Sequence, residues 1–555
     1  MAPLNVTIKH AGKVHAVTLD PELPPVAFKE AIYQVTGVPV DRMKVMIKGG
    51  MLKDDTNWKK VAPKEAHQFM VIGTAGELPK APEKATVFLE DMDDSELAEA
   101  LAKPVGLTNL GNTCYMNASL QALRSIPELE TALNSTSNTS SPLPQSLRSL
   151  ISSMTKTTEA VTPTSFLNTL RQVQPRFAEV DRSGGKMTGM MSMGGYAQQD
   201  AEECFSEIIN SFRSLEGVAN EHGPKKSFVE QFMMGNIRRT LSCPDAPDET
   251  PTVMEEPILK IECNITVTTN YLSSGILSSL TQSVTKRSPS LGREATYTQT
   301  SRLTRLPKYL TVHMVRFAWK ADINKRAKIM KRVKFPEVYD ATELASDELK
   351  SKLEPVANRL KDLEKARAER RKVRKRTKAS KESAAKPAAP SGDVEMGDAS
   401  TAAEQQVEEG GELSPEGVYR EKEGKELEAL VHADLKTDVG CSEHGLYELV
   451  AIVTHKGAAA NSGHYIGFVK KSVFHGRGSA KPAPSPAEET NGEGSSSTPA
   501  PAEAVPSWEA EEDEDWYKFD DDKVSIFPRD KLSTLEGGGQ DSSAYVLLYR
   551  SKSLV

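Results

Sequence analysis

The segment of residues 77–103 constrains the fold most, because it separates two parts of the chain with different character. It consists mainly of Pro, Glu, Asp and Ala, and a segment with so little apolar surface is typical of a linker. The chain has 555 residues, and at roughly 150 residues per domain this length favours two to four domains. We therefore predict a small module over residues 1–76, a linker over 77–103 and a large domain over 104–550.

The small module has the pattern of a mixed helix-and-strand domain. Apolar residues alternate over 4–8, and after a second strand a helix begins near Pro25 and ends at Gly37. Alternation returns over 43–47, and a last strand covers 69–72. This order of elements resembles ubiquitin, and the alternative is an unrelated β-grasp or ferredoxin-like domain. The chain continues past residue 76, so this module could not be conjugated by itself and would serve for docking.

Two low-complexity insertions, at about 342–430 and 475–508, interrupt the large domain. Neither carries enough apolar surface to offset the entropy of ordering, so we predict that both are disordered for much of their length. The first begins as a charged helix and is strongly basic over 361–378. This basic run is either a nuclear-import or nucleic-acid segment or, more simply, a solvated charged helix.

Composition limits the classes of protein that the chain can belong to. The net charge is −7 and 38% of the residues are hydrophobic, which favours a basic protein or peptide partner over nucleic acid. No apolar stretch approaches the roughly 18 residues of a membrane span, so no membrane partner is expected. The five cysteines include no Cys-x-x-Cys pair. We therefore expect reduced thiols, as in the cytosol or nucleus, and neither a metal nor another cofactor.

One cysteine lies where its thiol would be activated. Residues 106–117 read Gly-Leu-Thr-Asn-Leu-Gly-Asn-Thr-Cys-Tyr-Met-Asn, and the apolar residues that follow have helical spacing. With Asn112 or Thr113 as N-cap, Cys114 would lie in the first turn, where the helix dipole favours the thiolate. By itself, a lone cysteine at a helix start is more often an inert packing residue.

A cysteine nucleophile also requires a base, a group that orients the base, and a donor for the oxyanion. His464 is a candidate base, because it lies between a Gly/Ser stretch and an apolar strand. Asp520 directly follows an aromatic strand, and Asn109 precedes Cys114 by five residues, within reach of an oxyanion. Each signal is weak alone, since most such histidines and acidic runs are structural or solvated.

Four segments together resemble the Cys, Gln, His and Asp boxes of the ubiquitin-specific proteases: residues 106–117, 198–204, 461–469 and 515–524. The resemblance covers about residues 104–550 apart from the insertions. It implies an α+β fold, with an N-terminal ubiquitin-like β-grasp domain followed by a papain-like protease domain of thumb, palm and fingers. It also implies a thiol protease that cleaves the isopeptide bond after ubiquitin's C-terminal glycine.

The resemblance also implies a role for each candidate residue. Cys114 is the nucleophile, His464 the base, and Asp520 the group that orients it. Asp521 is a helper or an alternative in that third position, and Asn109 holds the oxyanion. The residues that would bind ubiquitin's extended tail are Gln198, Asp200 and Tyr465.

The N-terminal ubiquitin-like module and the stretches 45–55 and 86–92 resemble the proteasome-associated branch of the family. That resemblance implies docking of residues 1–75 on the regulatory particle of the 26S proteasome, and removal of ubiquitin from polyubiquitinated proteins in the cytoplasm and nucleus. It further implies that loops at about 318–328 and 457–462 cover the tail channel until docking. The rival interpretations are a catalytically idle scaffold and a protease for another ubiquitin-like modifier.

Overall fold

The structure, a computed structural model, describes residues 3–47, 50–54, 56–73, 93–101, 103–135, 141–180, 195–218, 226–320, 325–384, 414–458, 462–475 and 514–554. The chain divides into two compact units, Met1–Met92 and Asp93–Val555. The first part of the predicted linker, residues 77–92, lies outside the described residues, as does the stretch 86–92 that carried part of the resemblance.

The N-terminal unit has the strand and helix order that its sequence predicts. Its sheet has five strands in the order β2-β1-β5-β3-β4, and β1 and β5 are parallel. The helix α1 ends at Gly37, whose backbone has a φ of +67° and whose N–H donates to Tyr33. Two short elements, β4 and α2, had no clear signal in the sequence. The elements are β1 (Leu4–His10), β2 (Lys13–Leu19), α1 (Pro25–Thr36), β3 (Lys44–Ile47), β4 (Gly50–Met51), α2 (Trp58–Val61) and β5 (Gln68–Ile72).

Helices dominate the first part of the large unit. The first of them, α3, contradicts the predicted linker, because it occupies most of residues 93–103 and is tied to the large unit by hydrogen bonds. Asp94 accepts hydrogen bonds from the backbone N–H (3.1 Å) and hydroxyl (2.8 Å) of Thr158. The helices are α3 (Asp94–Leu101), α4 (Cys114–Leu123), α5 (Pro127–Ser135), α6 (Pro142–Met154), α7 (Thr164–Val173), α8 (Ala201–Ser211) and α9 (Phe228–Phe232).

Two sheets make up most of the remainder. A four-stranded sheet has the order β7-β6-β10-β9, and an eight-stranded sheet has the order β18-β17-β16-β15-β19-β11-β8 with β14 beside β15. In the eight-stranded sheet, the strands β11 and β19 are largely buried, as their sequences predict. The elements are β6 (Gly235–Ser242), β7 (Thr252–Ile258), β8 (Ile261–Asn264), α10 (Leu272–Ser279), β9 (Thr281–Arg287), β10 (Glu294–Arg305), β11 (Tyr309–Val315), β12 (Phe317–Lys320), β13 (Lys325–Lys328) and β14 (Val338–Asp340).

The first insertion differs from its prediction over the residues that are described. A helix of 38 residues, α11 (Asp347–Ala384), runs beside α12 (Glu416–Leu430), and α13 (Ala433–Thr437) follows. Leu349, Leu353 and Val356 are buried in the core. An apolar stripe at helical spacing is enough to hold a segment whose average composition is polar, so the prediction of disorder is wrong there.

The basic run lies within α11, and part of it is used in ion pairs. Arg367 contacts Glu423 at 2.7 Å and Arg370 contacts Glu416 at 2.9 Å, both on α12. This pairing favours the charged-helix interpretation of the run. The second insertion lies almost wholly outside the described residues. The last elements are β15 (Leu446–Lys456), β16 (His464–Lys470), α14 (Ser472–His475), β17 (Trp516–Asp520), β18 (Lys523–Phe527) and β19 (Ser543–Ser551).

Candidate active site

Cys114 is the first residue of α4, as predicted. The approach to the helix is a tight turn in which Gly111 and Asn112 have φ values of +91° and +54°. Thr113 is the N-cap residue, but its hydroxyl makes no capping hydrogen bond. It accepts instead from the N–H of Leu110, at 2.9 Å. Cys114 therefore lies in the first helical turn, at the positive end of the helix dipole, and is 3% exposed.

The structure brings His464 and Asp520 together. His464 is the first residue of β16 and Asp520 is the last of β17, and these two strands are antiparallel neighbours. The His464 Nε2 atom lies 2.6 Å from the Asp520 Oδ1 atom. Asp520 also contacts Lys518 Nζ at 3.0 Å. Both side chains are about one third exposed, so the pair is accessible to a substrate.

The electrostatics of His464 suit a partner of a thiolate. Its hydrogen bond with Cys114 raises the pKa of His464 to about 9, burial opposes this rise, and Asp520 adds to it. Burial raises the pKa of Asp520, but hydrogen bonds from His464 and Lys518 outweigh burial and leave that pKa below its ordinary value. A cysteine, a cationic imidazole and a carboxylate in this order form the arrangement of a thiol protease.

Asp521 does not take the third position, but holds two asparagines near Cys114. Its Oδ2 atom accepts from Asn109 Nδ2 at 2.8 Å, and its Oδ1 atom accepts from Asn117 Nδ2 at 2.9 Å. Its backbone carbonyl accepts from Leu107. Asn109 also accepts from the N–H of Gly111 at 2.9 Å. One N–H of the exposed Asn109 amide is thus held by Asp521, and the second is free to donate to an oxyanion.

The predicted tail-binding residues already make contacts within the chain. Gln198 Nε2 donates to the carbonyl of Gly463 at 2.8 Å, directly before His464. Asp200 caps α8 and accepts from Tyr545 Oη at 2.5 Å. Tyr465 is 1% exposed, so the structure does not support its direct contact with a substrate. Neighbouring side chains would have to move first, because the ring packs against His455 with 4.9 Å between ring centroids.

Burial disfavours the thiolate at three of the other four cysteines, Cys204, Cys263 and Cys441. Cys204, Cys243 and Cys263 are buried, and all five thiols are free. Burial raises the pKa of Cys263 and of Cys441 to about 12, which keeps both thiols neutral. Over the residues that the structure describes, no group of three or more His, Cys, Asp and Glu side chains could hold a metal ion. No helix in that part of the chain is long and apolar enough to cross a bilayer.

The fold and this site are typical of one class of protein, the cysteine peptidases: a cysteine begins a helix, and a histidine and an aspartate meet on neighbouring strands. Residues 105–549 match the family described as ubiquitin carboxyl-terminal hydrolase. The chain belongs to this family and is a cysteine-type deubiquitinating enzyme, as its sequence predicts.

Three relatives match this chain along its whole length. The ubiquitin carboxyl-terminal hydrolase 6 of Schizosaccharomyces pombe is 36% identical over 99% of both chains. The hydrolase 6 of Arabidopsis thaliana is 33% identical over 99% of this chain and 98% of its own. The ubiquitin carboxyl-terminal hydrolase 14 of Caenorhabditis elegans is 27% identical over 99% of this chain and 93% of its own. The N-terminal unit is therefore part of what these proteins share with this chain.

Sequence reasoning did not single out Asn117, and it named Asp521 only as a helper or an alternative in the third position. Asn117 closes the Cys segment, and Asp521 adjoins Asp520, so both lie beside residues that were singled out. Their pairing joins positions 404 residues apart. A signal was present in Asn117, which faces the core beside Cys114, because a buried amide requires partners.

The pH dependence of activity should report on the His464–Asp520 contact. The imidazolium is lost as the pH rises through its pKa, so we expect the alkaline limb of kcat/KM near pH 9. Asp520→Asn removes the charge that raises this pKa, so the limb should move to lower pH. The position of this alkaline limb is measured by the hydrolysis of a ubiquitin C-terminal fluorophore between about pH 5 and 10. Asp522→Asn, at an exposed neighbour, is the control, and equal limbs in all three proteins would contradict the assignment.

Proposed function

We propose that Cys114, His464 and Asp520 hydrolyse the isopeptide bond after the C-terminal glycine of ubiquitin. His464 takes the Cys114 proton, and the thiolate attacks the glycine carbonyl. The second N–H of Asn109 and the backbone N–H of Cys114 stabilise the oxyanion. His464 then protonates the leaving lysine amine, and water hydrolyses the thioester. The observation that carries this proposal is the His464–Asp520 contact of 2.6 Å, combined with the raised pKa of His464 beside Cys114.

The tail of ubiquitin would run beside His464, between Gln198 and Asp200. Ubiquitin ends in Leu-Arg-Gly-Gly, and a carboxylate such as Asp200 suits the arginine. Gln198 already donates to a backbone carbonyl, that of Gly463. An extended glycine tail offers carbonyls of the same kind, so Gln198 can exchange one for the other when substrate enters. Tyr465 then lines the channel only after its neighbours shift.

The biological task that fits this chain best is removal of ubiquitin from proteins at the proteasome, in the cytoplasm and nucleus. The support is the N-terminal β-grasp unit. The hydrolase 6 and hydrolase 14 relatives share it, because their similarity to this protein covers 99% of the chain. In this proposal, residues 1–75 dock on the regulatory particle, and the catalytic unit trims ubiquitin from polyubiquitinated substrates and recycles it.

The N-terminal unit has an exposed apolar patch that suits docking. Met46 lies opposite Met70 and opposite Met51 on neighbouring strands. Together with Ile72 these side chains are 42–53% exposed. Lys44 lies opposite Ile72 and Lys9 opposite Met70, so cations border the patch. A patch of this kind fits an apolar surface with acidic residues at its rim.

The two surface loops near the site are in contact over their described residues. The N–H of Lys328, at the end of β13, donates to the carbonyl of Ala458 at 3.1 Å. This contact supports the proposal that the loops at 318–328 and 457–462 shift together when the enzyme docks.

The proposed action at the proteasome is tested by the hydrolysis of a ubiquitin fluorophore with and without proteasomes. The proteasomes are first freed of their own thiol-dependent activity. We expect proteasomes to raise the rate, and expect the rise to vanish in a variant lacking residues 1–75. Met46→Glu/Met70→Glu should weaken proteasome binding at least about tenfold, since truncating central interface residues typically costs this much. Basal activity should not change.

Val35→Glu is the matched control, because Val35 is also exposed but lies on α1. Equal stimulation of all variants would refute docking through this patch. Activity that proteasomes do not stimulate would support the protease function but contradict the proposed movement of the loops. Absence of activity under all conditions would favour the interpretation as a catalytically idle scaffold. A panel of fluorophore conjugates of other ubiquitin-like modifiers separates ubiquitin from its relatives as substrate.

A further inference from the structure

A buried lysine contacts the end of β15, the strand that pairs with β16 and His464. Lys328 is 4% exposed, and its Nζ atom donates to the backbone carbonyls of His455 at 2.7 Å and Asp541 at 3.3 Å. Within the described part of the chain, no carboxylate forms an ion pair with it. Burial, followed by the charge of nearby Arg316, lowers the pKa of Lys328 to about 8, and the charge of Asp541 opposes this lowering. A buried ammonium that forms no ion pair with a carboxylate is unfavourable. We therefore expect Lys328 to have a role at this position.

Arg316 makes the same kind of contact. It is buried, and its guanidinium donates to the carbonyls of Ala544 (2.6 Å), Lys331 (2.9 Å) and Glu536 (2.8 Å). Two buried cations therefore hold backbone carbonyls where the pairing of β15 with β19 ends, at His455 and Ser543. The carbonyls of His455 and Ala544 at this end of the ladder thus accept hydrogen bonds from cationic side chains.

The carbonyl that Lys328 holds belongs to the segment on which His464 rests. His455 lies opposite Tyr465, and Lys456 lies opposite His464, across β15 and β16. Gly463, directly before His464, has a φ of +129° and lies so close that a Cβ atom there would be 2.6 Å from His455 Nε2 and 2.3 Å from the Lys456 carbonyl. A shift of His455 is therefore transmitted to Gly463 and to the first residue of β16.

We propose that Lys328 is a positioning residue for the catalytic base: its ammonium fixes the His455 carbonyl and thereby Gly463 and the start of β16, which place His464 beside Cys114. The proposal rests on the proposed role of Cys114 and His464. Lys328 does not contact substrate or the reacting atoms. Its effect is on the chemical step, because the position of His464 controls both the thiolate and the proton transfer to the leaving amine.

Lys328→Met, which keeps the length of the side chain and removes its charge, tests the proposal in the full-length protein. We expect kcat for a ubiquitin fluorophore to fall about 10- to 100-fold, as small misplacements of catalytic groups do. KM should change less than about threefold, since the ubiquitin surface is untouched. The alkylation rate of Cys114 by iodoacetamide, followed by mass spectrometry of its peptide, should also fall about tenfold because the thiolate loses its partner.

Lys331→Met, three residues further along the same segment, is the control and should behave as wild type. Lys328→Arg keeps a cationic donor and should retain more of kcat than Lys328→Met. A purely structural role would lower the melting temperature but leave kcat and the alkylation rate unchanged below it, and this outcome would overturn the proposal. A rise in activity would also overturn it and would favour a loop latch. Cys114→Ala in parallel separates failure of this proposal from failure of the catalytic assignment.

Discussion

Replacing Cys114 with alanine should lower kcat/KM for a ubiquitin fluorophore by about 10⁴-fold or more, the loss typical when a protease nucleophile is removed. The thiol is the first residue of α4 and is the partner that most raises the pKa of His464. Burial raises the pKa of Cys204 and Cys263, and this keeps both in the neutral form.

The matched control is Cys441→Ala, because Cys441 is the only one of the five thiols that is not buried. It should retain wild-type kcat/KM. The Cys114→Ala protein should still bind ubiquitin with close to wild-type affinity, measured by titration, since the binding surface is intact. Residual hydrolysis within about tenfold of wild type would contradict the assignment of Cys114 as nucleophile.

The second large effect is expected at Asp521. Asp521→Ala removes the acceptor for Asn109 and Asn117 at once, so the proposed oxyanion donor Asn109 and the buried Asn117 on α4 both lose a hydrogen bond. We expect kcat to fall about 10²–10³-fold, the range seen when one oxyanion donor is lost. Since Asp521 has a φ of +53°, Asp521→Asn, which tolerates this conformation, separates the loss of charge from backbone strain.

A double-mutant cycle shows whether Asp521 acts through Asn109. Asn109→Ala alone should lower kcat without abolishing it. The Asn109→Ala/Asp521→Ala protein should be little slower than the slower single variant, because the two side chains act as one unit. If the fold-decreases in kcat of the two single variants multiply in the double variant, Asp521 acts independently of Asn109. Asp522→Ala, in the same acidic run but exposed, should leave kcat unchanged.

Local patterns predicted most of the elements that carry the site. Cys114 at the start of a helix, the end of α1 at Gly37, and the buried strands β11 and β19 all follow from periodicity and capping residues near one another in sequence. The first insertion was misjudged because its mean composition concealed one apolar stripe, which includes Leu349 and Leu353. The helix α3 was missed because a short polar helix is stable only through contacts such as Asp94 with Thr158.

The sequence by itself determined the two-unit organisation, the β-grasp order of the N-terminal unit, and the residue types of the site, since these depend on local spacing and on motifs. Only the tertiary structure decided which carboxylate meets His464. Asp520 and Asp521 are adjacent in sequence, but the left-handed backbone at Asp521 turns its side chain toward Asn109 and Asn117. Only the fold brings Lys328 under His455, 127 positions away. Such contacts form where distant strands end, and no local pattern records them.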